Sequence, residues 1–420
     1  MTNAEAVTWL AQLSPSVIRL GLDRVQAALA VLKNPQTQYP AIHVAGTNGK
    51  GSTCAFAASC LGQQGYRVGL YTSPHLVRIN ERFQVAGEQI TDELLGQRVN
   101  EVLAAVGPDH QLTFFEFGTV VALWHFAQEK IDVAVLETGL GGRLDAVTCA
   151  RPSVTAITSI SLDHMQYLGK TTRKIAFEKA GILKPNVPVV VSRQSPEVIE
   201  VIEKHARKLG SPMRLEGRDF KFEPEAGGKS FIYRGMRTSV SGLVPGLRGA
   251  HQVQNAAVAL ACLELLEDRG IKISKDNARL GLSSTRWPGR LEEVAGSPLL
   301  VLDAAHNPGG MAALAQALDA LYPRKKIHLV FGVLADKDHL PMLHTLFPKC
   351  AAAYLTPVGS LRTLEPSDFI AEARTFCPRV EAFGSASQAL KAARAAAGPE
   401  DVVLVAGSLF LIGQVKAGLA

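Results

Sequence analysis

Short unbroken apolar runs recur along this chain, and longer stretches with helical spacing separate them. Ile42 to Ala45, Arg67 to Tyr71, Ile131 to Leu136, Val154 to Ile160 and Pro188 to Ser192 have strand length. Runs that are apolar at nearly every position suit strands covered on both faces. Between them, Thr53 to Leu61, Asp92 to Val106, Phe114 to Glu129, Thr171 to Leu183 and Pro196 to Leu209 read as helices. Strand and helix in alternation predict a mostly parallel sheet with helices on its faces. Residues 1 to 40 read as a helical segment in which the stretch Ile18 to Val25 breaks the periodicity at Gly21; a second helix runs from there to Leu32. Residues 219 to 248 change character. Lys221-Phe222-Glu223 and Phe231-Ile232-Tyr233 alternate around a glycine pair, which predicts antiparallel hairpins on the sheet edge. His251 to Leu266 and the shorter Asp276 to Leu282 are again helical.

Thr285-Arg286-Trp287-Pro288-Gly289-Arg290 interrupts this pattern, and a second alternation starts at Leu299. Leu299 to Asp303, Ile327 to Phe331, Ala351 to Leu355 and Val402 to Ala406 read as strands between Ala/Leu-rich helices. Two domains are expected, over residues 1–290 and 291–420. No fixed-period repeat is visible.

Composition narrows the class. Of 420 residues, 47% are hydrophobic and 20% charged, ordinary values for a globular protein. No apolar run reaches the roughly 18–20 residues of a membrane helix. Met1 to Leu10 lacks the basic cluster and apolar core of a signal peptide, so a cytoplasmic protein without a membrane partner is expected. The six cysteines form no Cys-x-x-Cys pair, which points to buried free thiols in a reducing compartment. Net charge is +6, which suits anionic ligands. Aromatics are only 6%, and no basic run interleaves with them, so no nucleic-acid partner is expected. A monomer is the expected assembly.

The densest candidate chemistry follows the first apolar run. Gly46-Thr47-Asn48-Gly49-Lys50-Gly51-Ser52-Thr53 places three glycines and a lysine between a strand and a small-residue helix expected to open at Ser52. Glycines let backbone approach an anion, and the N–H groups of a first helical turn point at it. Lys50 adds charge for outer phosphates, and Ser52 or Thr53 offers a hydroxyl to Mg2+. The general P-loop has four residues between its glycines and Ser/Thr directly after lysine. Here two residues separate Gly46 from Gly49, and Gly51 follows Lys50, so this is either a P-loop variant or a plain glycine turn. With it, the expected fold class is α/β: an N-terminal P-loop-type, mostly parallel sheet domain flanked by helices, and a smaller C-terminal Rossmann-like α/β domain.

Other strand ends carry polar groups, where open α/β sheets place ligands. Thr72-Ser73-Pro74-His75-Leu76 makes Ser73 and His75 candidates for the same cleft. Glu137 ends the run Ile131 to Leu136, the usual place for a carboxylate directed at Mg2+. Three glycines in Thr138 to Asp145 imply close backbone approach. Ser161-Leu162-Asp163-His164 ends the next run, and Asp303-Ala304-Ala305-His306-Asn307-Pro308 ends the first strand of the second domain. Phe114, Phe115 and Phe117 are either core or a stacking wall for a flat ligand.

These blocks together resemble the folylpolyglutamate synthase family of the Mur ligase superfamily. The glycine loop, Thr72 to Leu76, Phe114-Phe115-Glu116, Glu137 to Asp145, Asp163-His164, Glu178-Lys179-Ala180-Gly181-Ile182, Pro288-Gly289-Arg290 and Asp303 to Pro308 occur in the family's order. The resemblance is closer to its bifunctional bacterial members, which also make dihydrofolate. It implies ATP contacts at Asn48, Gly49, Lys50, Gly51, Ser52, Thr53, Asn255 and Arg290. It implies two Mg2+ ions at Ser52, Ser73, Glu137 and His164, and a carbamate on Lys179 that helps hold the second. It implies a pteroate or folate site at Leu22, Asp23, Arg24, Val25, Thr113, Phe115, Asp145 and Ala146. Lys50, Lys179, Asp303 and His306 are the implied catalytic residues, the last two in a C-terminal domain that contributes to the ATP and glutamate cleft. The implied substrates are dihydropteroate, reduced folates, L-glutamate and ATP. The implied reaction activates a carboxylate as an acyl phosphate, which the amine of glutamate attacks. Rival readings are a folylpolyglutamate synthase without the dihydrofolate activity, another Mur-type amino-acid ligase, a P-loop kinase or GTPase-like switch, and a non-enzymatic nucleotide-binding regulator.

Overall fold

The computed structural model describes residues 1–13 and 19–419. The part of the N-terminal helical expectation that covers residues 14–18, including Ile18, lies outside the described residues, as does Ala420 at the end of the expected second domain. The apolar runs of the first half become strands β1 (Ala41–Ala45), β2 (Val68–Tyr71), β5 (Val133–Glu137), β6 (Val154–Ile157) and β7 (Val189–Val191). Every residue of these strands is buried. Three further strands were not anticipated: β3 (Phe83–Val85), β4 (Glu88–Gln89) and β8 (Met213–Leu215). The sheet order is β4-β3-β2-β5-β1-β6-β7-β8. Pairing is parallel from β2 through β8, and β3 and β4 form an antiparallel hairpin at one edge.

This order positions the site. The chain leaves β1 for β2, returns between them as β5, then crosses to β6 on the other side of β1. The winding direction therefore changes around β1, the position where open α/β sheets bind ligands beyond their carboxyl ends. The helix after β1 runs Lys50–Gln63, so it opens two residues before the expected Ser52 and puts Lys50 in its first turn. Strand β6 stops at Ile157, leaving residues 158–160 as irregular chain. The helix Phe114–Gln128 opens on a reciprocal cap: Glu116 N donates to Thr113 Oγ1, and Thr113 N donates to Glu116 Oε2. Phe114 and Phe117 join the core beside β2 and β5, with Phe115 only partly buried against it.

The hairpin expectation needs correcting. Strands β9 (Lys221–Pro224), β10 (Phe231–Arg234) and β11 (Ser239–Leu243) are antiparallel, but they make a separate three-stranded sheet rather than an edge of the large one. The physical reason is Glu264 on the helix Ala250–Leu266. Its buried carboxylate accepts from Tyr233 Oη at 3.0 Å and from the amides of Met236, Arg237 and Thr238 at 3.0, 2.5 and 2.8 Å. A carboxylate that collects a turn's amides fixes the hairpin on that helix.

The second alternation gives β12 (Glu292–Val294), β13 (Leu299–Leu302), β14 (Ile327–Phe331), β15 (Ala352–Leu355), β16 (Val380–Ala382) and β17 (Val402–Ala406), of which β12 and β16 were not foreseen. Their order is β12-β13-β17-β14-β15-β16, antiparallel only at β12. The core beneath this sheet includes Leu314, Leu318, Leu329, Phe331, Phe347 and Phe369.

The chain packs as two compact units. One comprises Met1–Ile160, Lys170–Gly246 and Val253–Thr285; the other Ser161–Gly169, Leu247–Gln252 and Arg286–Ala420. A cut at 290/291 divides the chain by sequence alone. Packing assigns three short stretches from before that point, residues 161–169, 247–252 and 286–290, to the second unit. The six cysteines are free thiols, all buried except Cys149, which is half-buried. Among the described residues, no helix is long and apolar enough to cross a membrane.

Candidate active site

The first unit carries the glycine loop. Gly49 caps the helix Lys50–Gln63 with φ +89°, a conformation L side chains rarely adopt. A Cβ there would lie 2.3 Å from Asn255 Oδ1, so Asn255 packs directly on the loop. Thr53 Oγ1 reaches the Asn255 carbonyl at 3.5 Å. The amides of Thr47 and Asn48 are not presented to a ligand: both donate to the Ser159 carbonyl, at 2.8 and 3.1 Å. The amides a ligand anion could use are therefore those of the first helical turn, Lys50, Gly51 and Ser52, which have no carbonyl four residues back within the helix. Lys50 Nζ donates to the Thr47 carbonyl at 3.2 Å, within the same loop. Ser52 and Thr53 are buried at the helix start.

Lys179, near the end of the helix Thr172–Ala180, is buried, and its Nζ donates to the Gly46 carbonyl at 2.6 Å. Glu137 is the last residue of β5, as its position in the sequence implied, and is 5% exposed. Its Oε2 accepts from the Ser73 amide at 3.1 Å, which joins two strand ends. His75, the other candidate of that turn, accepts instead from Arg82 Nε through Nδ1 at 2.8 Å. Burial and the neighbouring guanidinium lower its pKa to about 4. Arg82 in turn lies 5.0 Å over the Phe114 ring.

Could these residues hold a divalent metal? Among the described residues, no three His, Cys, Asp or Glu side chains stand close enough to hold one unaided. A buried carboxylate at Glu137, bonded to the Ser73 amide, nevertheless suits Mg2+, which takes one or two carboxylates and completes its shell with phosphate and water. The first-turn amides and the close-packed Gly49 form a cradle that a side chain would fill, which suits a nucleotide phosphate.

The residues implied for a pterin also meet in the first unit. Arg24 NH2 donates to Glu116 Oε1 at 2.6 Å, and its Nε to Oε2 at 3.3 Å. Glu116 also caps Thr113, so Arg24 and Thr113 are held by one carboxylate, next in the chain to Phe115. In the sequence Glu116 stands out only as part of the Phe114-Phe115-Glu116 block; the Thr-x-x-Glu spacing from Thr113 is the signal for its capping role. Phe115 covers Gly139, where a Cβ would fall 2.4 Å from the ring. Asp145 accepts from Leu140 N at 2.8 Å and Val147 N at 3.0 Å. Burial raises its pKa to about 7, against the lowering effect of these amides and of Lys50. Val25 and Ala146 belong to the apolar core, whereas Leu22 is half-buried and Asp23 exposed.

His164, Arg290, Asp303 and His306 belong to the second unit. Asp303 spends each oxygen on a backbone amide: Oδ2 on Leu291 and Oδ1 on Ala305, both at 2.9 Å. His306 Nδ1 meets the Ala304 carbonyl at 2.8 Å, and its Nε2 lies 3.6 Å from Asp163 Oδ2. Lys337, which sequence reasoning missed, donates to Asp163 Oδ1 at 2.5 Å. No local motif announces it, because its partner lies 174 residues away.

Buried histidines set a pH dependence. His43, in β1, shares a 2.9 Å hydrogen bond with Thr138 Oγ1. Burial lowers its pKa to about 3, with Lys184 adding to the effect. Burial lowers His125 to about 4, as it does His75. All three folded values lie below the unfolded value of about 6.5, so the unfolded chain binds more protons between them. Stability is thus complete above about pH 6.5 and is lost as pH falls toward about 4. Asp145, raised, opposes this with a single group. Urea midpoints should fall by an amount worth several kcal/mol between about pH 7 and 4.5; a midpoint that rises on acidification would contradict the assignment.

Comparison with known proteins places the chain. The Mur ligase middle domain family matches residues 44–263, and the Mur ligase, glutamate ligase domain family matches residues 289–409. The folylpolyglutamate synthase of Lacticaseibacillus casei is 36% identical over 94% of this chain and 93% of its own length. The dihydrofolate synthase/folylpolyglutamate synthase of Bacillus subtilis is 34% identical over 98% of both chains. Escherichia coli FolC, solved with DHPP and ADP, superposes with a TM-score of 0.91 at 34% identity, covering 100% of this chain and 98% of that one. The Yersinia pestis bifunctional folylpolyglutamate synthase/dihydrofolate synthase, solved with AMPPNP and Mn, gives 0.89 at 34% identity, with the same coverage. With a glycine cradle, a buried strand-end carboxylate and full-length relatives in agreement, the chain belongs to the dihydrofolate synthase/folylpolyglutamate synthase family of Mur ligases.

Proposed function

We propose that this chain is an ATP-dependent ligase that joins L-glutamate to dihydropteroate, making dihydrofolate, and to reduced folates, extending their glutamate tail. The observation that carries the reading is the meeting of Ser73 with buried Glu137 in the unit that also holds the Gly49–Asn255 cradle. Relatives of nearly full coverage carry the same pair of activities in their names. A single-function folylpolyglutamate synthase is the alternative, supported by the name of the Lacticaseibacillus casei relative.

A carboxylate is a poor acyl donor, because oxide would have to leave. Transfer of the γ-phosphoryl group of ATP gives an acyl phosphate, from which phosphate leaves readily. The chain's tasks are to position the reactants and offset charge. First-turn amides and Lys50 hold the outer phosphates. Ser52, Ser73 and Glu137 would hold Mg2+, and His164 would serve a second ion. The metal's contribution is to neutralise phosphate charge against the acceptor carboxylate.

Lys179 is the proposed carbamate. Its ammonium would first lose a proton, and the neutral amine would then add to carbon dioxide with loss of a second, turning a buried cation into an anion able to face a metal. The carbamate N–H can keep the bond to the Gly46 carbonyl. Arg24, Thr113, Phe115 and Asp145 would hold the pteridine end, with Phe115 as its stacking face. Leu22 and Asp23 flank that surface, and Val25 and Ala146 back it from the core. Asp303 holds the turn beside Arg290 through the Leu291 amide, which supports a positioning role. His306 has Nδ1 on a carbonyl and Nε2 toward Asp163, which supports orienting glutamate over taking its proton. The test is turnover with dihydropteroate against tetrahydrofolate, each with glutamate and ATP. Both should be extended by one glutamate in product mass; extension of tetrahydrofolate alone selects the single-function alternative, and extension of neither contradicts the proposal.

A further inference from the structure

Asp163 is the hub of a buried polar cluster in the second unit. Its side chain and that of Lys337 are each only 6% exposed. Lys337 Nζ donates to Oδ1 at 2.5 Å, and the amide of His164 donates to the same oxygen at 2.8 Å. Oδ2 accepts from Asn307 Nδ2 at 2.9 Å. The same Oδ2 is faced by two imidazoles, His306 Nε2 at 3.6 Å and His164 Nε2 at 3.9 Å. His164 itself has φ +49°, an uncommon backbone conformation for a residue other than glycine. Such a conformation persists only where its surroundings hold it.

We propose that Lys337 is a positioning residue: acting through Asp163, it sets where the imidazoles of His164 and His306 stand. The argument is one of occupancy. Lys337 and the His164 amide engage Oδ1, so the carboxylate is held with Oδ2 toward Asn307 and the two rings. Asn307 also caps the helix Pro308–Leu321 by accepting from Gly310 N at 2.8 Å, which anchors the far side. Without Lys337 the buried carboxylate loses its cationic partner. It would then turn to take a histidine as direct partner, and both rings would leave their positions. Stability alone does not require this arrangement, since a buried ion pair is weak evidence of stabilisation.

The proposal rests on the reading of His164 as a metal position. Groups that orient a metal ligand are worth about 10–100-fold in metal affinity. The test is the Mg2+ concentration for half-maximal ADP release in the wild type, His164→Ala, Lys337→Met, Lys337→Arg and Asp163→Asn. A thermal melt monitors the fold of the second unit, which carries the variants, and metal-free ADP binding by calorimetry that of the first. Lys337→Met should raise the Mg2+ requirement about tenfold or more, in the direction of His164→Ala, with ADP binding unchanged. Lys337→Arg, which keeps a donor cation, should restore it to within about threefold. A normal requirement in Lys337→Met beside a raised one in His164→Ala overturns the positioning role and leaves the metal reading intact. A normal requirement in His164→Ala overturns the metal reading, and the proposal with it. If Lys337→Met does not fold, Asp163→Asn cuts the same link, and a normal requirement there overturns the proposal.

Discussion

Glu137→Gln should leave the protein folded and lower turnover by about a thousandfold or more, equivalent to about 4 kcal/mol of transition-state stabilisation. Glutamine is nearly isosteric, and its carbonyl can still accept from the Ser73 amide. The strand end therefore keeps its geometry while its charge is removed. The lost negative charge is what would hold Mg2+ against phosphate, a role no neutral amide fills equally. Steady-state ADP release at saturating Mg2+, beside a thermal melt, checks this. A folded variant within tenfold of wild type would remove Glu137 from the mechanism.

Gly49→Ala should cost about 10–100-fold in ATP affinity through two separable strains. The first is backbone: φ +89° is unfavourable for any residue with a Cβ. The second is contact: the new methyl would lie 2.3 Å from Asn255 Oδ1, and Asn255 is 93% buried, so it has little room to yield. Either the loop or Asn255 must shift, and both are proposed ATP contacts. Calorimetric titration with a non-hydrolysable ATP analogue measures the loss. Companion Asn255→Ala in the Gly49→Ala background should recover part of the thermal stability, by removing the contact but leaving the strain, while ATP affinity stays low because a proposed ATP contact is gone. Unchanged binding in Gly49→Ala would show that the cradle does not hold the nucleotide.

Much of the first unit was legible because its signals are local. Apolar runs that need cover on both faces announced β1, β5, β6 and β7. The acid directly after Leu136 announced a strand-end carboxylate, and Glu137 stands there. The glycine loop was legible through its residue types, although the amides of Thr47 and Asn48 turned out to serve Ser159. What stayed hidden depends on distant partners. The short strands β3 and β4 carry too few residues for a period. The hairpins of residues 221–243 alternate as expected, but only Glu264 on a later helix shows why they form their own sheet. Asp163 and His164 follow a strand of the first unit, yet their contacts through Lys337, His306 and Asn307 place them in the second. Charge pairing across 174 residues leaves no spacing to read.

The central claim is that ATP cleavage here is coupled to amide formation with glutamate. The direct measurement is ADP release by the purified protein with substrates omitted one at a time. Release should require ATP, glutamate and either dihydropteroate or a reduced folate, with one ADP formed per glutamate added. ADP release at the full rate without any pteridine acceptor would contradict the account.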